Sequence, residues 1–96
     1  MKKSNEITLG DAIAEFLKKN NLDTKLDETR LIGSWETVVG KLISRHTLNM
    51  YVKNSILHVK VDSAALRQEL AYQKSKIMKK LIKASGSDVI TDIHFE

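Results

Sequence analysis

The hydrophobic period of this chain changes between residues 47 and 61, and that change constrains the fold more than any other feature. In Thr47-Leu48-Asn49-Met50-Tyr51-Val52-Lys53, the residues Leu48, Met50 and Val52 alternate with polar ones. In Ile56-Leu57-His58-Val59-Lys60-Val61, the residues Leu57, Val59 and Val61 do the same. Alternation of this kind puts apolar side chains on one face of a strand and polar ones on the other. Lys53-Asn54-Ser55 between the runs reads as a tight turn, because Asn54 tolerates a left-handed backbone. The two runs are therefore expected to form an antiparallel hairpin, with Leu48, Met50 and Val52 inward and Thr47, Asn49, Tyr51, Ile56, His58 and Lys60 on the outer face.

A hairpin with one apolar face needs a cover, and helical pattern lies on both sides of it. Thr8-Leu9-Gly10-Asp11 has the form of a capping box, and Leu9, Ala12, Ile13, Phe16 and Leu17 follow at helical spacing, closed by Asn20-Asn21. A second helical stretch covers roughly 23–44 on Leu26, Leu31, Trp35, Val38, Val39, Leu42 and Ile43. Gly33 interrupts it, which predicts a kink or two helices in series. After the hairpin, Asp62 or Ser63 caps a third helix that runs to about Ala84. Leu66, Leu70, Ile77 and Leu81 fall within roughly 60° on it, and Lys76, Lys79, Lys80 and Lys83 within about 100° on the other side. Ser85-Gly86-Ser87 supplies a glycine C-cap. A last strand is expected over Val89 to Phe95, with Val89, Thr91, Ile93 and Phe95 on one face. The resulting order is α-α-β-β-α-β. It describes an α+β fold in which a three-stranded sheet packs against helices and the N-terminal helices flank it.

At 96 residues, with 42% apolar and 29% charged, the chain is expected to form one domain over residues 1–96, with its core at about 8–95. The formal charge of +4 is unevenly spread. Residues 41–83 hold ten basic residues against Asp62 and Glu69 alone, whereas the flanking parts are slightly acidic. Such a local excess attracts phosphates or an acidic protein surface. There is no cysteine, which removes disulfides, iron–sulfur clusters and thiolate zinc sites. Met1-Lys2-Lys3-Ser4-Asn5-Glu6 leads into no apolar signal-peptide region, and no apolar run reaches the length of a membrane span, so a cytoplasmic location is expected.

Catalytic patterns are missing. His46, His58 and His94 stand in no H-x-x-x-H or H-E-x-x-H arrangement. Ser63 reads as a helix cap rather than a nucleophile, and no glycine-rich phosphate loop is present. His58 and His94 both face outward on their strands, where they read as solvated side chains, since two ligands without a third make a weak metal site. Trp35 reads as core. No cofactor, metal or catalytic residue is therefore assigned. The candidate phosphate-binding residues are Lys74, Lys76, Lys79, Lys80 and Lys83 on the third helix, with Lys53 and Lys60 from the hairpin. Tyr51 and His58 offer a second possibility, a face on which unpaired bases stack.

Several of these residues occur together in an order that resembles one family. Trp35-Glu36-Thr37-Val38-Val39-Gly40, then Leu42, then His46-Thr47, resembles the tryptophan, V/I-V-G and His-Thr signature of the DciA-like proteins. Val59-Lys60-Val61-Asp62-Ser63 followed by Glu69-Leu70 resembles the family's second block. Gly86 with Val89-Ile90-Thr91-Asp92-Ile93-His94-Phe95 resembles its closing strand. The resemblance covers about residues 8–95 and rests on order and spacing rather than on any one motif. It implies a core like a type II K-homology fold, and a bacterial accessory role in which the protein binds DNA and recruits or loads the replicative DNA helicase. Zinc-ribbon descriptions of the family do not transfer, because cysteine is absent, and the K-homology G-x-x-G loop is missing too. The sequence departs from the family at Leu48-Asn49, where proline usually follows His-Thr, and at Leu66, where an aromatic is usual.

The sequence thus predicts a non-enzymatic protein that binds nucleic acid and the replicative helicase. The alternatives are a protein-interaction module whose basic stripe meets an acidic partner, and an RNA-binding domain without a helicase role.

Overall fold

Alternation over 47–61 yields the expected hairpin. The computed structural model describes residues 8–20 and 22–96, so the charged stretch 1–6 and Asn21 lie outside the described residues. Strand β1 (Thr47–Lys53) pairs antiparallel with β2 (Ile56–Val61). Asn54 and Ser55 both have positive φ, 53° and 63°, as a two-residue turn matched to strand twist requires. Strand β3 (Asp92–Phe95) lies parallel to β2, so the order is β1-β2-β3 and the sheet is mixed. The architecture is α+β, with a three-stranded sheet packed against helices.

The helices are more broken than the periodicity suggests. Along the chain they are α1 (Leu9–Lys19), α2 (Leu22–Gly33), α3 (Trp35–Val39), α4 (Lys41–Arg45), α5 (Ala64–Tyr72) and α6 (Lys74–Ser85). Three cap expectations hold. Thr8 Oγ1 accepts from the Asp11 amide at 3.1 Å, and Ser63 Oγ from the Leu66 amide at 3.2 Å. Gly86 adopts the left-handed conformation and its N–H donates to the Ile82 carbonyl.

The interruption expected at Gly33 falls at Ser34, and a second one falls at Gly40. Gly40 has φ 92° and ψ 169°, a backbone region held almost only by glycine. The turn redirects the chain, so Leu42, expected inward, is exposed. A Cβ at Gly40 would meet nothing within 4 Å, which leaves backbone strain as the whole cost of substitution. Gly40→Ala is expected to destabilise the protein by about 1–3 kcal/mol in urea unfolding. An unchanged midpoint would show that α3 and α4 can join without this conformation.

The single third helix is likewise two. It breaks at Gln73, where α5 over β2 and β3 gives way to α6, which also packs on α2 and α3. The apolar stripe survives the break: Leu70, Ile77 and Leu81 are buried.

Two strand expectations need correction. Thr47 opposes Val61 and Asn49 opposes Lys60, so Leu48 is an extra residue in a bulge. Parity flips there. Thr47 turns in toward Trp35 instead of lying on the outer face, and Leu48 is 59% exposed instead of inward. At the other end, β3 begins at Asp92 rather than Val89, and Ile90 is buried where Thr91 was expected. Residues 87–90 form no strand, so alternation counted back from Phe95 does not apply to them. Thr91 still donates its N–H to the Ser55 carbonyl at 2.7 Å and braces the hairpin turn.

The core gathers Leu31 and Trp35 from α2 and α3 with Leu57, Val59, Val61, Leu70, Ile77, Leu81, Ile90, Ile93 and Phe95. Helix α1 takes no part in it. It has no buried residue and packs on α2, and its stripe of Leu9, Ile13 and Phe16 stays exposed. This corrects the expectation that both N-terminal helices flank the sheet. The described residues extend 60 Å by 21 Å by 21 Å. Their radius of gyration of 16.9 Å exceeds the ~13 Å of a compact domain of this size.

Candidate nucleic-acid interface

Helix α6 separates its residues by face, as an amphipathic helix must. Ile77 and Leu81 enter the core, while Lys76, Lys79, Lys80 and Lys83 are exposed. Among the described residues no carboxylate lies within ion-pair distance of these four. Among the described residues the only lysine so paired is Lys74, whose Nζ is 3.1 Å from Asp92 Oδ1. That hydrogen bond, helped by the Ile93 amide, holds the Asp92 carboxyl below its ordinary value. Lys74 thus ties the first turn of α6 to the head of β3, and is less free for phosphate than the four lysines that follow.

Lys53 and Lys60 are exposed on the outer face of the sheet, whereas α6 belongs to the helical layer that covers the inner face. The seven lysines therefore do not form one patch: the structure brings four together on α6 and places two on the other side of the sheet.

Beside the α6 lysines runs a shallow cleft. Val38, Val39 and Ile43 of α3 and α4 line it with Leu70 and Ile77, together with the polar Glu69, Lys76 and Lys80. On the sheet, Tyr51 stacks on His58 with ring centres 4.6 Å apart and planes 5° from parallel. His94 meets His58 edge-on at 5.6 Å. His58 and His94 are thus neighbours, and no group of three His, Cys, Asp or Glu able to hold a metal ion exists among the described residues. The sequence pairs Tyr51 with His58 only through the hairpin. The third ring becomes legible once β3 is known to lie beside β2.

The residues of the family-like signature serve as scaffold. Trp35, 3% exposed, donates from Nε1 to Thr47 Oγ1 at 3.0 Å, and Thr47 in turn donates to the Ile43 carbonyl at 2.8 Å. Trp35 also packs on Phe95, with ring centres 6.4 Å apart. His46 Nδ1 lies 2.8 Å from Asp62 Oδ1, and the Asp62 amide donates to the His46 carbonyl, closing the open end of the hairpin. His46 and Ser63, weighed as a catalytic pair, are engaged separately, one with Asp62 and the other as a cap. No described helix is long and apolar enough to cross a membrane.

Comparison with known proteins bears on the family. The family described as "Dna[CI] antecedent, DciA" matches residues 8–95. A UPF0232 protein of Mycobacterium tuberculosis (strain H37Rv) is 28% identical over 85 residues, which is 88% of this chain and 46% of the relative. A UPF0232 protein of Mycobacterium leprae (strain TN) is 27% identical over 85 residues, 88% of this chain and 45% of its own length. A UPF0232 protein of Mycobacterium ulcerans (strain Agy99) is 27% identical over the same length. The chain spans about half the length of these curated relatives. With the match running through the helices, the hairpin and the closing strand, this chain belongs to the DciA family.

Proposed function

We propose that this protein is a non-enzymatic accessory factor of DNA replication, which binds nucleic acid through α6 and recruits or loads the replicative helicase. One observation carries the nucleic-acid part: four exposed lysines share one helix face with no acidic partner among the described residues. Like charges three and four residues apart repel one another, a cost that a phosphate backbone removes. The helicase part rests on membership of the family described as "Dna[CI] antecedent, DciA". The cleft beside Lys76 and Lys80 suits an apolar segment of a protein partner, next to the phosphate-binding face.

Purification of the tagged protein from its own cells, with and without nuclease, tests both parts. The helicase is expected in the eluate of both arms, and nucleic acid only in the untreated one. Helicase lost on nuclease treatment would make the protein contact indirect, and helicase absent from both arms would refute the recruiting role. An eluate with helicase but no nucleic acid would favour the protein-interaction reading.

A further inference from the structure

The outer face of the sheet carries chemistry that neither the core nor α6 uses. Its strands are covered on the other face, where Leu57, Val59, Ile93 and Phe95 are buried. Across the outer face runs a row of three rings, one per strand, at directly paired positions: Tyr51 opposite His58, and His58 opposite His94. Lys53 and Lys60 each lie two residues along a strand from one of these rings, so they share its face. Neither is within ion-pair distance of a carboxylate among the described residues, in contrast to Lys74.

We propose that this face binds single-stranded nucleic acid, with an unpaired base stacking on Tyr51 and with Lys53 and Lys60 holding phosphates beside it. Tyr51 is backed on one ring face by His58, and β1 is an edge strand, so no described residue pairs beyond it. The ring is 42% exposed and already held in place, which lowers the cost of ordering it on binding. A duplex presents its bases as edges, stacked on one another, whereas an unpaired base presents the face that a tyrosine ring takes. Packing alone does not account for residue 58. His58 Nδ1 is enclosed without a hydrogen-bond partner among the described residues, a cost that an apolar side chain there would avoid. As a ring that backs Tyr51 and continues the stack toward His94, it has a use.

The inference stands apart from the helicase reading, because substitutions on the sheet and on α6 report separately. The test is anisotropy of the full chain with a labelled oligothymidylate, an abasic strand and a duplex, all of equal length. Tyr51→Ala is expected to weaken oligothymidylate binding about tenfold, with duplex and abasic-strand binding unchanged. Tyr51→Phe keeps the ring and retains the affinity. Lys53→Ala combined with Lys60→Ala is expected to lower the salt slope for the single strand by about 1.4, and serves as the second measurement should Tyr51→Ala fail to fold. Equal affinity of Tyr51→Ala and wild type for oligothymidylate would overturn the proposal. So would equal losses on single strand and duplex, or a wild-type protein that binds duplex but no oligothymidylate, which would leave the face to a protein.

Discussion

Trp35→Ala is expected to destabilise the protein by about 3–5 kcal/mol, the largest effect of any single substitution on this fold. A domain of this size has only about 5–15 kcal/mol in total. Trp35 sits where three elements meet: it lies on α3, bonds Thr47 at the start of β1 and packs on Phe95 of β3. Truncation leaves a cavity in the core beside Phe95 and removes the donor that orients Thr47 at the bulge. The thermal midpoint should fall by roughly 4–8 °C for each kcal/mol lost, followed by circular dichroism because Trp35 is the sole tryptophan. Trp35→Phe keeps most of the volume and loses the Nε1 donor, so its cost should be about 1–2 kcal/mol. A loss under about 1 kcal/mol for Trp35→Ala would mean that the three elements are joined by something other than this side chain.

Reversing Lys76, Lys79 and Lys80 together to glutamate is expected to abolish duplex binding at moderate salt. Each lysine that neutralises a phosphate contributes about 0.9 to the slope of log affinity against log salt, so three neutral substitutions should lower the slope by about 2.7. Reversal goes further, because the new carboxylates repel the phosphates that the lysines attract. The three positions are exposed and outside the core, so the thermal midpoint should move little. Lys18→Glu and Lys19→Glu on α1 together with Lys25→Glu on α2 is the matched control: it also reverses three exposed charges, outside α6. Equal slopes for the triple variant and the wild type would take α6 out of the interface. Equal losses in variant and control would mean that net charge, not location, governs binding.

The two surfaces were legible to different degrees. The lysine stripe follows from helical spacing between residues 76 and 83, and it stands although the helix breaks at Gln73, because the break lies before all four lysines. The ring row was half legible. Turn chemistry at Asn54 sets the hairpin register and so pairs Tyr51 with His58, but His94 joins them only through a parallel pairing between segments far apart in sequence. The first block of the family resemblance turns on Trp35, Gly40, His46 and Thr47, and each of them serves the scaffold. Trp35 is a core ring, Gly40 a positive-φ turn, His46 a clip to Asp62 and Thr47 an acceptor for the Trp35 indole. These four residues identify the fold, and the candidate surfaces are made by other residues, Lys60 and His94 of the later blocks among them.

By itself the sequence determined the hairpin, the caps at Thr8, Ser63 and Gly86, the buried stripe of α5 and α6, and the α+β class. These depend on period and on hydrogen bonds that close within four residues, so the information is local. Tertiary structure alone decided the bulge that turns Thr47 to Trp35, the breaks at Gly40 and Gln73, the burial of Ile90 and the exposure of α1. A helix bends, and a strand gains a residue, to fit what it packs against. Those partners lie tens of residues away, beyond the reach of any local pattern.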